Sequence, residues 1–559
     1  MVAFIGPQAQ LPGKVTVMRM LALIVLAASL LGAAEPGPQA KPEYPLYSPF
    51  FGSSHKFTDE DLARLAGAFD FVYGQSPAKE EMDRARKVNP EVKFIRYIGA
   101  WTVNAETAEG KLRREVLYHQ VATLAQDIDA RVTVFRLDEI PEYRPLVLKA
   151  SNVSGPYSRS AREYVTWVRI GDEMMRVEAF DARIRESRVT RNFDGSKAER
   201  HAKGARVFCP DYGMPPGEVN DPHISKVLSY HYDPAAPARW NLILETLVRF
   251  LEQGGDGIWI DILMDRSLRE RDMQGREWKA PAWNFAKDRS YTRDEFRGKN
   301  EEGVRYVQEE FRRRFGRYPV IYGNNMMASR FGEGQAGQKF YLLPTAAKPR
   351  PLDGMCIEDF MGGYDQEEWD LWSRDRTVTV PKKACYPCDA GYKNWAENVK
   401  MLMQCSQSGM AAIPLIINAG MKTAIFEAID RERRHEWELW AYAGYLLGVE
   451  RKNGQCPTKL GVPMFRREGD RRFVDLAPMY YWKIGEPAES VKPADLDRYR
   501  IEGTQVYRRR FTNGLVLVNP GGRRENVALE ATYTDPDLKA PVKAVVLAPQ
   551  SGKILLRAR

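Results

Sequence analysis

Two stretches of this chain run from glycine through a short apolar strand to a carboxylate. They are Gly254-Gly255-Asp256-Gly257-Ile258-Trp259-Ile260-Asp261 and Gly354-Met355-Cys356-Ile357-Glu358-Asp359-Phe360. Two carboxyl groups that face each other can divide acid–base work: one protonates a leaving oxygen, the other attacks as nucleophile or activates water. Asp261 and Glu358 form the first such pair. Asn324 and Asn418 end two further apolar runs, where amides can bond sugar hydroxyls. Tyr73, Tyr97 and Trp101 add aromatic faces of the kind that stack on a pyranose. A retaining pair sits ~5 Å apart and an inverting pair ~6.5–9.5 Å apart, a choice that sequence spacing leaves open. This chemistry requires no metal and no organic cofactor. Asp265 reads equally as a neighbour of the pair or as a cap, and Asp359 should point away from Glu358. Asp256 reads as a turn cap at the far end of its strand, and Trp259 as core.

Such groups cooperate only where strand ends converge. Short apolar runs at 47–52, 69–74 and 92–98 alternate with amphipathic stretches at 59–68 and 78–88. The alternation resumes with a helix over 240–251, the strand ending at Asp261, a helix over 293–315 and a strand at 319–325. A strand at 354–360, a helix over 395–408, a strand at 411–418 and a helix over 428–447 complete it. Fully apolar strands between helices predict a parallel sheet covered on both faces. About eight such units predict an α/β fold, a (β/α)8 TIM barrel, whose C-terminal strand ends carry the chemistry. With 226–230 counted as an approach segment, Asp261 ends the fourth strand and Glu358 the sixth.

The rhythm breaks between 146 and 207, where short strands are joined by turn chemistry such as Gly171-Asp172. This predicts a small β module inserted in a barrel loop. From about 463 the pattern turns all-β, with Asn513-Gly514 between two apolar runs as a hairpin signal. The expected organisation is a signal peptide (1–34), a linker (35–44), a barrel (45–455) carrying the insert at 146–207, and a C-terminal β-sandwich (456–559).

Composition narrows the functional classes. The 559 residues carry 83 basic and 74 acidic side chains, a formal charge of +9, but the signs are well mixed. No long Lys/Arg run with interleaved aromatics is present, so no nucleic-acid partner is expected. Neither G-x-G-x-x-G nor a P-loop occurs, so nothing points to a nucleotide site. Lys14 and Arg19 precede the apolar run 20–31, followed by Gly32-Ala33-Ala34. This is the pattern of a secretory signal peptide cleaved near Ala34, too short to span a bilayer. A secreted or periplasmic protein without a stable membrane span is expected. Of six cysteines, Cys385-Tyr386-Pro387-Cys388 forms a single C-x-x-C; a local disulfide or free buried thiols fit it better than a metal site.

Several of these segments together resemble a known group. They are the signal peptide, 69–74, 93–101, 255–261, 320–325, Ile357-Glu358 and Asn513-Gly514 with Val518-Asn519-Pro520. The chain resembles bacterial glycoside hydrolase-like barrels related to endo-α-1,4-polygalactosaminidase and to the α-galactosidase type. The resemblance implies a nucleophile at Asp261 and an acid at Glu358, although the α-galactosidase type usually carries Asp at the acid position. Residues 170–177, 189–196 and 201–205 resemble a small β repeat of phage tail and bacterial surface proteins, which implies a structural or adhesive module.

The resulting expectation is an exported glycoside hydrolase acting on a poly- or oligosaccharide. Asp261 and Glu358 would be catalytic, and Tyr73, Tyr97, Trp101, Asn324 and Asn418 would contact the carbohydrate substrate. The alternative from another class is a non-catalytic carbohydrate-binding or surface-attachment protein on a degenerate barrel, which the insert favours. A phosphate enzyme would need a metal-binding acidic cluster, for which Asp261 and Asp265 are thin support.

Overall fold

The computed structural model describes residues 41–51, 57–74, 78–99, 102–104, 111–139, 167–181, 183–210, 229–261, 282–327, 352–358, 360, 391–414, 431–453, 455–462, 465–468, 471–474 and 476–558. Residues 1–40, with the expected signal peptide, lie outside them. The elements below all belong to one compact unit, Pro42–Arg559.

The chain begins with β1 (Leu46–Phe51), α1 (Asp59–Ala68), β2 (Phe71–Gly74), α2 (Lys79–Val88) and β3 (Lys93–Ile98). A reciprocal capping box starts α1: the Thr58 hydroxyl accepts from the Asp61 N–H, and the Asp61 carboxylate returns to Thr58. After β3 the chain leaves the sheet. A two-stranded antiparallel stalk, β4 (Thr102–Asn104) and β11 (Ser229–His231), frames a closed six-stranded barrel. That barrel comprises β5 (Tyr118–Leu124), β6 (Val134–Glu139), β7 (Trp167–Ile170), β8 (Glu173–Asp181), β9 (Glu186–Thr190) and β10 (Arg206–Pro210), in the order β10-β5-β6-β9-β8-β7.

The βα series then resumes with α3 (Pro237–Glu252), β12 (Gly257–Ile260), the small hairpin β13 (Trp283–Asn284) and β14 (Arg289–Ser290), and α4 (Arg293–Phe315). Next come β15 (Val320–Met327), β16 (Gly354–Glu358), α5 (Gly391–Gln407), β17 (Ala411–Pro414), α6 (Arg431–Gly448) and β18 (Leu460–Gly461). Eight parallel strands form one sheet in the order β17-β16-β15-β12-β3-β2-β1-β18. Its two edges meet: the Leu460 N–H donates to Pro45 O at 3.1 Å and the Lys459 N–H to Ala412 O at 2.9 Å. The sheet is therefore barrel-like, with β12 fourth and β16 sixth in chain order.

Two apolar layers hold it. Phe71, Ile95, Trp259, Tyr322, Cys356 and Ile413 pack inside the curl, with Tyr97 beside them. The alternate residues, Phe94, Ile98, Ile258, Ile260, Ile321 and Ile357, pack outward into the helices. Each large side chain buried this way contributes roughly 1.5–3 kcal/mol. Close approach decides Gly257: a Cβ there would collide with the Val320 carbonyl on the adjacent strand.

Two boundaries differ from expectation. The strands of the insert start at Tyr118, well before 146, because β5 and β6 lie in a stretch with no hairpin signal of the Gly-Asp type. The eighth parallel strand, Leu460–Gly461, lies beyond 455. Two residues are too few to show an apolar period, and only pairing with β1 makes them a strand.

The insert has its own apolar core, including Leu124, Phe135, Val168, Met175, Val177 and Val207. Beside it lies a buried ionic knot. Arg191 grips both oxygens of Glu173 at 2.6 and 2.7 Å, His201 Nε2 lies 2.8 Å away, and the Glu199 N–H adds 3.1 Å. Burial opposes ionisation of Glu173, but the bonds from Arg191, His201 and Glu199 overcome it and hold the carboxyl at about 2, against an ordinary 4.5. A carboxylate with a depressed folded-state pKa stabilises above its unfolded pKa and loses that contribution as pH falls towards the folded one. Unfolding midpoints of the wild type are therefore expected to drop between pH 4.5 and 2. Glu173→Gln should flatten that part of the profile; an unchanged slope would rule the knot out as its source.

Beyond the barrel-like sheet, a hairpin of β19 (Phe465–Glu468) and β20 (Arg471–Val474) precedes a five-stranded antiparallel sheet. The sheet comprises β21 (Tyr507–Phe511), β22 (Gly514–Asn519), β23 (Glu525–Asp535), β24 (Ala540–Leu547) and β25 (Ser551–Arg557), in the order β21-β22-β25-β23-β24. Among the described residues these five strands form one continuous sheet. One sheet face (Tyr507, Val516, Val518, Ile554) joins the core around Leu439 and Ala443 of α6. The other face (Leu515, Leu517, Val527, Leu547, Leu555) closes on itself as the sheet curls. Both faces of the sheet are thus buried, one under α6 and one within the curl.

Candidate functional site

The interior layer of the sheet places the site. Along a strand successive side chains alternate faces, so a residue two positions beyond an inward one also faces inward. Ile95 leads to Tyr97 on β3, Trp259 to Asp261 after β12, and Tyr322 to Asn324 on β15. The strands are in register: Trp259 is opposite Tyr97 and Tyr322, and the Asp261 N–H donates to Ile98 O at 3.0 Å.

The three polar side chains meet above the apolar layer. The Tyr97 hydroxyl donates to Asp261 Oδ2 in a short hydrogen bond, and Asn324 Nδ2 donates to Asp261 Oδ1 at 3.0 Å. Asp261 and Asn324 are each buried to 8 % exposure. Each carboxylate oxygen thus accepts from a neutral donor on a neighbouring strand. Hydrogen bonds to a charged acceptor are the stronger kind and fix orientation.

The remaining predicted site residues divide clearly. Glu358 ends β16, two residues beyond the interior Cys356 and paired in register with Met327. Tyr73 lies on β2, two residues beyond Phe71 and opposite Ile95. Trp101 and Asn418 lie outside the described residues, as do Asp265, Asp359 and the Cys385/Cys388 pair. Cys209, Cys356, Cys405 and Cys456 are reduced thiols. Trp259, 1 % exposed, is core as expected. Asp256 sits at the opposite end of β12, where it accepts from the Phe94 N–H and from Arg86, both at 2.7 Å.

Tyr97 and Asn324, expected as substrate contacts, each hydrogen-bond Asp261 in the structure. A signal for this was present. In Ile95/Tyr97, Trp259/Asp261 and Tyr322/Asn324 an apolar interior residue precedes a polar one by two positions, which marks a polar layer above a dry one. Among the described residues no group of three or more His, Cys, Asp or Glu side chains could hold a metal ion.

The third connection bears on the surroundings of the site. The insert leaves the sheet directly after β3, on the side of Tyr97, and so rises from the same end of the strands as Asp261. In this class of fold that is the functional end.

No family model matches this chain, and no curated protein matches it. Solved structures with similar traces include the glycoside hydrolase domain of PelA from Pseudomonas aeruginosa, at 11% identity and a TM-score of 0.30, covering 72% of this chain and 90% of that one. Trehalose-6-phosphate hydrolase (TreA) of Bacillus licheniformis is 12% identical with a TM-score of 0.36, covering 93% of this chain and 98% of that one. A mutant of MUTB, from crystals soaked with trehalulose, is 9% identical with a TM-score of 0.41, covering 93% of this chain and 100% of that one. None of the scores reaches 0.5, so the functional reading rests on the site geometry.

Proposed function

We propose that this protein is an exported glycoside hydrolase on a (β/α)8 barrel, acting on a poly- or oligosaccharide. The observation that carries the reading is the Asp261 carboxylate, buried at a strand end with Tyr97 and Asn324 bound one to each oxygen. A carboxylate so oriented suits attack on an anomeric carbon, or activation of a water. Glu358, two parallel strands further round, is the proton donor to the leaving oxygen. The basic and apolar N-terminal segment supports export, and the sequence resemblance to polygalactosaminidase-related barrels suggests an α-linked hexosamine or hexose polymer.

The test is a panel of soluble glycans (deacetylated α-1,4-galactosaminan, chitosan, soluble starch and galactomannan) assayed for release of reducing ends. At least one should be cut by the wild type and none by Asp261→Asn or Glu358→Gln. Equal release by wild type and both variants would overturn the assignment. A graded effect is expected at the neighbouring tyrosine. Tyr97→Phe removes one hydrogen bond to a charged acceptor, an interaction of about 1.5–3 kcal/mol. Turnover on the best glycan of the panel should therefore fall ~10- to 100-fold, with the far-UV circular dichroism unchanged. A loss of less than twofold would show that the hydroxyl does not orient Asp261.

A further inference from the structure

The connection between Asp261 and α4 carries a hairpin that packs on the insert. Its hairpin, β13–β14, lies against the stalk end of the six-stranded barrel. The Phe285 ring meets Phe208 edge-on at 4.9 Å and Tyr118 at 5.6 Å, while the Arg169 guanidinium sits 3.9 Å above it. Trp283, 7 % exposed, packs on Phe208 at 5.2 Å under the Arg206 guanidinium at 4.8 Å. Arg206 also donates to Asp288 at 2.6 Å. Just past the hairpin, the Tyr291 hydroxyl donates to Asp233 at 2.9 Å, on the strand end where the insert returns.

The insert is thus fastened twice. Its stalk follows β3, which carries Tyr97, and its seat holds the hairpin that comes next among the described elements after β12 and Asp261. These two strands are hydrogen-bonded neighbours, and the Asp261 N–H donates into β3. A module built only to attach the protein elsewhere would need the stalk alone.

We propose that the inserted barrel is a brace for the Tyr97–Asp261 half of the site, with Trp283 and Phe285 as the positioning residues through which it acts. The proposal rests on the catalytic reading of Asp261 for its purpose, though not for its measurement. Aromatic and cation–π contacts of this kind are directional as well as apolar, so they set how the hairpin sits on the insert and not only whether it is buried.

Hydrogen–deuterium exchange of the full chain tests this directly, because the Asp261 amide is itself a reporter. Phe285→Ala should speed exchange in the segment 257–261 by roughly fivefold or more, as local opening becomes easier, and leave 411–414, on the far side of the sheet, unchanged. Arg206→Gln, which trims the seat from its exposed side, should do the same to a smaller degree and serves if the first variant does not fold. Faster exchange confined to 282–291 would make the hairpin a mere appendage and overturn the proposal. Uniformly faster exchange across both segments would overturn it too, as a general loss of stability. No turnover is needed for this readout. A wild type inert on every glycan would sink the hydrolase reading and leave the brace standing, whereas unchanged exchange at 257–261 sinks the brace alone.

Discussion

Asp261→Asn is expected to abolish glycan cleavage, with a loss of at least ~10³-fold in kcat/KM and little change in folding. The substitution keeps the volume of the side chain and its Oδ1, to which Asn324 donates. It removes the negative charge, and with it the nucleophile or base. It also places an amide nitrogen where a carboxylate oxygen accepts from the Tyr97 hydroxyl, so that hydroxyl must accept where it had donated. Where groups act as a unit, losing one costs most of the rate enhancement of the set. Glu358→Gln, which removes only the proton donor, is expected to cost ~10²- to 10⁴-fold. Its loss should shrink on substrates with an acidic leaving group such as a nitrophenol, which departs without protonation; the loss at Asp261 should not. That contrast separates the two roles. Equal losses on both kinds of substrate would mean that Glu358 is not the acid.

The second large effect concerns the joint between the barrel-like sheet and the C-terminal sheet. Arg509, on β21, has no exposed surface. Its Nη1 donates to the carbonyls of Leu446, Leu447 and Val449 at 3.1, 3.0 and 2.6 Å, where α6 ends. Its Nε and Nη2 donate to Glu489 O, and Nη2 pairs with Glu450 at 3.0 Å. The last carbonyls of a helix have no partners within it, and its C-terminus attracts positive charge. A guanidinium supplies several donors in a fixed fork, which an ammonium cannot do. Arg509→Leu leaves these buried acceptors without that donor, each at about 1–3 kcal/mol, and is expected to destabilise by roughly 3–5 kcal/mol, as for breaking a buried ionic contact. A lowered urea midpoint for the transition of Pro42–Arg559 would report it. Arg509→Lys should recover less than half of the loss, since charge returns without the fork. A midpoint unchanged by Arg509→Leu would show that apolar packing alone joins the two sheets.

Much of this was legible in the residues. The apolar strands at 93–98 and 257–260, and the helices between glycine and threonine signals, follow from local rules. Thr58 and Thr292 start helices because each has a carboxylate three residues on to complete the box. The candidate site was also partly legible, since the polar residue two places beyond an interior apolar one is a property of a single strand. Asp261, Asn324 and Tyr97 were therefore identifiable as strand-end groups before any fold was known.

What each of them touches was not legible, because parallel strands are paired over long separations. Tyr97 and Asp261 stand 164 residues apart with a complete six-stranded barrel between them. Only the register of β3 with β12 brings the Tyr97 hydroxyl to the carboxylate. The same holds for β18, a strand solely through its neighbours, and for the C-terminal sheet, one face of which α6 covers. Local chemistry thus determined which residues end on the functional face, since alternation and capping act over a few residues. Tertiary structure alone decided which of them meet, because hydrogen bonds between distant strands depend on a register that no local pattern encodes.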